Sequence, residues 1–129
     1  TSSHYQYFNK LRRKNIIYDF ALSYIDSHRQ KLKRKYPRFE SFRDSFKITP
    51  EMLKEVVEMG EEEGIERQEE SLKFTEAEMR REIKAFIARD IYSRNDFYKI
   101  FYEDDDAINQ ALKIIENQQE YNNILVSAE

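Results

Sequence analysis

Three groups of residues carry types and spacing from which chemistry could be built. The first is "RQKLKRKYPR", Arg29 to Arg38, where Lys31, Lys33, Arg34 and Lys35 crowd together. Clustered cations gain affinity for a nucleic-acid backbone by releasing its counterions. The plainer reading is a solvated helix end, whose cations complement the carbonyl end of the helix dipole and face acids elsewhere in the fold. The charge distribution favours the plainer reading. Residues 1–48 carry a net +8 and residues 49–129 a net −11, giving the whole chain −3.

The second group is "IARDIYSRNDFYKIFYEDDD", Ile87 to Asp106. Its rings and arginines could stack bases, but such platforms usually stand on sheets or loops with surplus cations. Here Asp90, Asp96 and the "EDDD" run balance the arginines. Most large apolar residues between Ile83 and Phe101 fall on one helical stripe, which reads as core packing. Tyr92 and Tyr102 fall off that stripe and are candidates for an interface, together with Lys31, Lys33, Arg34 and Lys35.

The third group is acidic. "EMGEEEG" and "EDDDA" could hold a hard cation, but neither has the alternating ligands, central Gly and terminal Glu of a calcium loop. Solvated faces or caps are the better reading, and no cofactor or metal is expected. His28 lies on an apolar stripe, where a hydrogen-bonded core histidine is the expectation, and His4 near the terminus is expected to be exposed. Neither Gly lies near a Ser in a tight nucleophile turn, and no phosphate-cradling loop is present. No catalytic residue can be named from the spacing, so the chain is read as a non-enzyme.

Elements of some kind must position these groups, and composition says which. Eighteen rings, nine Tyr and nine Phe, supply a core in a 129-residue chain that is 36% charged. Two Gly and two Pro leave few of the punctuators a strand-and-turn fold needs. One all-α domain over residues 1–129 is expected, an irregular bundle of four to six helices. Cysteine is absent, which excludes disulfides, thiolate zinc sites and cysteine nucleophiles. No apolar run approaches the ~18 residues of a membrane span. The chain starts at Thr, as expected of a mature or excised piece of something longer.

The periodicity predicts a helix from Ser3 through Leu11, a break at Arg13 to Asn15, and a second helix from Ile16 to just before Pro37. Phe39, Phe42 and Phe46 suggest a short helix or an apolar clasp. Thr49 as cap with Pro50 in the first position starts another helix, ending near Gly60 or Gly64. Residues 64–75 read as linker or an extra turn. "TEAE", Thr75 to Glu78, has the capping-box pattern, opening a stretch that runs to Phe101. Glu76–Arg80 and Asp90–Arg94 are i,i+4 pairs on it. Asp104 to Asp106 cap a last helix with Ile108, Leu112 and Ile115 inward, and residues 120–129 are expected to fray.

Two blocks, "KNIIYDFALSYIDSHR" and "IKAFIARDIYSRNDFYKIFYEDDDAINQALKII", carry a resemblance when taken in that order. They resemble the C-terminal region of bacterial carboxyl-terminal processing peptidases, the tail-specific serine protease family. The matching positions are Ile16-Ile17-Tyr18-Asp19-Phe20, Ala88-Arg89-Asp90 and Asp105-Asp106-Ala107-Ile108, with Ala111-Leu112 after them. The similarity runs roughly from Tyr5 to Gln118 and is weakest from Arg38 to Lys73. That family works with a Ser nucleophile and a Lys base. No such motif stands here, since Ser127-Ala128 is not followed by Lys. The resemblance implies a noncatalytic accessory domain, periplasmic or in the cell envelope. Its partners would be the rest of the peptidase, another protomer or an adaptor. The alternative is a free-standing helical module that binds nucleic acid or an acidic protein through residues 29–38.

Overall fold

The computed structural model describes residues 2–128, without the side chains of Ser2 and Ala128. Among the described residues there are seven helices and no strand, so the chain is all-α with one helix more than the upper expectation. They are α1 (Ser2–Arg13), α2 (Ile16–Lys35), α3 (Phe39–Ser45), α4 (Pro50–Glu62), α5 (Glu69–Ile91), α6 (Arg94–Phe101) and α7 (Asp106–Ala128). Helix α5 is the centre of the bundle and packs against α1, α2 and α6; α4 lies on α2, and α7 packs on α6.

Local chemistry sets most of the boundaries. Asn15 separates α1 from α2 at φ 59°, a left-handed conformation that Asn tolerates better than most residues. Thr49 caps α4 by accepting from the Met52 amide at 3.2 Å, with Pro50 in the first turn as expected. At the other end Gly64 adopts φ +82°, while Ile65 N–H donates to the Gly60 carbonyl and Gly64 N–H to that of Glu61. This is a Schellman stop, which favours glycine at its left-handed position.

Two expected boundaries are corrected. Thr75 does not start a helix: α5 begins six residues earlier, at Glu69. Thr75 is fully buried, and its hydroxyl donates to the Ser71 carbonyl one turn back, a bond that competes with the capping role. The stretch from Thr75 to Phe101 is also interrupted. Ser93 takes an extended conformation and accepts from the Asp96 amide at 3.2 Å, opening α6 as a separate helix. That break sends Asp90 to Arg29 of α2, at 2.9 Å, instead of to Arg94. The Glu76–Arg80 pair forms as expected.

The core runs through Phe8, Leu11, Ile17, Ile25, Val56, Ile83 and Ile87, all nearly inaccessible. A seam of rings closes its α2–α3 side: Phe42 stacks on Phe46 at 4.7 Å, and Tyr36 meets both edge-on. His28 is half-buried against this seam, stacked on Tyr24 at 4.0 Å, with Nδ1 donating to the Tyr24 carbonyl. His4 is half-buried as well, contrary to the expectation of exposure, because its ring stacks on Phe74 at 4.2 Å. Helix α7 continues through the segment expected to fray, as far as Ala128; Glu129 lies outside the described residues.

Candidate interaction surface

Lys31, Lys33, Arg34 and Lys35 occupy the last two turns of α2, and all four are exposed. Their neighbours are neutralised locally, Arg29 by Asp90 at 2.9 Å and Arg38 by Glu40 at 3.8 Å. Among the described residues no ion pair reaches the four themselves. Lys35 Nζ lies 5.6 Å from the centroid of the Tyr36 ring. The basic helix end is thus a solvated cationic patch, with the Arg29–Asp90 pair at its edge as an ionic tie to the acidic half.

Tyr92 and Tyr102 have different surroundings. The Tyr92 hydroxyl donates to the Tyr36 carbonyl at 2.5 Å, and its ring meets Phe39 and Phe42 at 5.8 and 5.5 Å. Burial, then the charge of Asp96 and the Tyr36 phenol, push its pKa up to about 12. Tyr92 therefore pins the start of the α5–α6 turn onto the end of α2. It lies beside the basic patch as a structural tie. Tyr102 belongs to a separate ring cluster, stacked with Tyr98 at 6.1 Å and edge-on to Phe101 at 4.9 Å. The structure brings Tyr92 to the basic helix end and leaves Tyr102 elsewhere.

The stretch around Tyr102 is a half-exposed aromatic band. Phe86 meets Tyr18 at 5.2 Å and Phe97 at 5.3 Å, and Phe97 stacks on Phe101 at 5.3 Å. The Arg89 guanidinium is 5.1–5.5 Å from the Tyr18, Phe86 and Phe97 centroids, so cation–π attraction to three rings holds it over the band. Ile83, Ile87 and Ile100 of the same stripe are buried. Packing is the main work of this stripe, with its rings forming the rim.

Most of the exposed large apolar side chains among the described residues lie on α7, where sequence reasoning did not place an interface. Leu112 is buried against the bundle and Ile108 half-buried, whereas Ile115, expected to point inward, is exposed. Ile114 is 68% exposed, Tyr121 58%, Ile124 60% and Val126 72%, and Leu125 joins them. The helix is held at its base: Lys99 reaches Glu116 at 2.5 Å and Asp96 at 3.5 Å. Past Glu116 every described side chain is exposed. Ala111, Ile114, Gln118, Tyr121 and Leu125 fall at alternating three- and four-residue steps, the spacing of a seam made for another helix. Its last two members, Tyr121 and Leu125, lie in the segment expected to fray, 120–129.

No group of three or more His, Cys, Asp or Glu among the described residues is placed to hold a metal ion, and no described helix is long and apolar enough to cross a membrane. The Ser71 hydroxyl donates to the His4 carbonyl at 2.5 Å and that of Ser93 to Asp96 at 2.9 Å.

Residues 7–93 match a family of unknown function, DUF8443, and the chain belongs to that family. The match ends at Ser93, the cap of α6, so α6 and α7 lie beyond the matched residues. No curated protein and no solved structure matches the chain.

Proposed function

We propose that this chain is a noncatalytic helical domain that docks through α7 onto a larger protein, a serine-type carboxyl-terminal processing peptidase of the cell envelope. The observation that carries the docking is the set of large apolar side chains left uncovered on α7. Contiguous apolar surface of that kind marks an interaction site in a folded protein. The identity of the partner rests on the resemblance of Ile16 to Phe20, Ala88 to Asp90 and Asp105 to Leu112 to the tail of that family. Its work is to hold the peptidase, a second protomer or an adaptor in place, and so to govern access to an active site outside these residues.

The reading frame that encodes the chain tests this. Translation upstream of Thr1 should give a peptidase core with a Ser–Lys dyad, and the purified chain alone should leave an unstructured peptide uncut. A frame that opens near Thr1, or cleavage by the chain itself, overturns the proposal.

A second reading has one observation in its favour, the exposed cations Lys31, Lys33 and Arg34 at the end of α2, which form no ion pair among the described residues. A free-standing module would use them to bind nucleic acid. Tight binding of random duplex DNA that weakens steeply with salt, and is lost on replacing these residues with Gln, would favour it over the docking domain.

A further inference from the structure

A cleft lies away from both surfaces, between α3, α5 and α6. Its volume is about 310 Å³, and its buried lining is Phe46, Ile48 and Ile100. Its outer wall is mainly cationic, with Arg43 and Lys47 from one stretch of the chain and Arg80, Arg81 and Lys84 from another, beside Glu103. An apolar floor under a convergent set of charges is the usual make-up of a small-ligand site.

Part of that charge is already engaged. Arg43 pairs with Asp44, Arg80 with Glu76, and Arg81 with both Glu103 and Asp104. Arg80 is further fixed by donating to the Ile48 carbonyl, at the edge of the floor. Against these four carboxylates the five cations leave a surplus of one positive charge. The surplus sits on the amines: among the described residues neither Lys47 nor Lys84 is in an ion pair. Lys84 donates to the Arg43 carbonyl at 2.6 Å, which holds its head at the mouth of the cleft. Burial first, and then Lys47, push the Lys84 pKa below the ordinary lysine value, with Glu103 and Asp44 opposing. An anion in the cleft would offset both the cost of that burial and the repulsion from Lys47.

From this geometry we infer that the cleft binds a monocarboxylate attached to a short apolar group, the carboxylate at Lys47 and Lys84 and the apolar part over Phe46, Ile48 and Ile100. A surplus of one charge suits a single carboxylate better than a phosphate dianion. The carboxylate has two natural sources, a fatty acid or the free end of a peptide chain.

Titrations of the whole chain followed by amide NMR separate the outcomes. The probes are hexanoate, N-acetylleucine, N-acetylleucinamide and inorganic phosphate. Ligands of this size bind with dissociation constants on the order of millimolar. The expected result is saturable shifts at the amides of residues 46–48, 80–84 and 100 with one or both acids, and none there with the amide or phosphate. Shifts with hexanoate alone identify a fatty carboxylate, and shifts with N-acetylleucine alone a peptide end. Lys84→Met keeps the apolar stem and Lys47→Gln lies outside the core; each should weaken binding about tenfold, the loss expected for one charged hydrogen bond. Equal shifts with the acid and the amide, stronger shifts with phosphate, or full binding by both folded variants would overturn the inference.

Discussion

The Tyr92 hydroxyl donates to the backbone carbonyl of Tyr36, 56 residues away, at 2.5 Å. This bond fastens the end of α5 to the end of α2, where both helices stop. Tyr92→Phe keeps the ring against Phe39 and Phe42 and removes only the donor. It should cost about 1 kcal/mol, the net value of such a bond. The pH dependence has a definite sign. The Tyr92 pKa is raised to about 12 from the ordinary 10, so its stabilisation is complete below pH 10 and is lost as pH rises toward 12. Urea unfolding at pH 8, 10 and 11.5 checks both points, because the variant should lose less stability across the upper interval.

Arg12 and Glu82 join α1 to α5 at 3.1 Å, with Glu82 nearly buried and the Arg12 guanidinium 3.9 Å from the centroid of the Phe8 ring. Arg12→Met leaves the carboxylate without its cation. The expected loss is about 1–2 kcal/mol, between the values for exposed and buried pairs. Glu82→Gln should lose less, since a neutral amide needs no counter-charge. Chemical denaturation of the two variants gives the order, and a greater loss for Glu82→Gln would count against the pair as a stabilising tie.

Gly64→Ala tests the stop of α4. No heavy atom stands within 4 Å of an added Cβ, but φ is +82°. Strain alone should therefore destabilise the protein by about 1 kcal/mol. Asn at the same position should cost less. Thermal melts of both variants are sufficient, and an Ala variant as stable as the parent would mean that the turn is not held in this conformation.

Residues 117–127 continue α7 with every side chain exposed. Removing residues 117–129 while keeping Leu112 and the Lys99–Glu116 pair should move the melting midpoint by no more than ~2 °C, as surface changes usually do. A large fall would show that the end of α7 folds back onto the bundle.

Much of the fold was legible because its signals are local. Pro50 behind Thr49, the lone φ-tolerant Asn15 and the apolar stripe from Ile16 to Leu32 each fixed an element within a few residues. The start of α5 was misread because "TEAE" has the letters of a cap, while Thr75 sits in the protein interior where its hydroxyl bonds back along the helix. The α5–α6 break had its own capping letters, Ser93 with Asp96 three residues on, hidden by an apolar stripe that continues through the turn. Of the candidate surface, the exposed cations of α2 could be read from charge alone. The tie made by Tyr92 could not, because its partner is a backbone carbonyl in a distant segment. The cleft could not be read either, since Lys47, Arg80 and Ile100 meet only through folding.

The uncovered side chains of α7 are what the proposed role depends on, and hydrogen exchange reads them directly. Amides of residues 114–126 should exchange rapidly in the isolated chain. In the full protein encoded by the gene they should slow on the order of 100-fold or more, as the helix gains a partner. Equal exchange in the two forms would contradict a docking helix, and with it the account of this chain as an attached, noncatalytic domain.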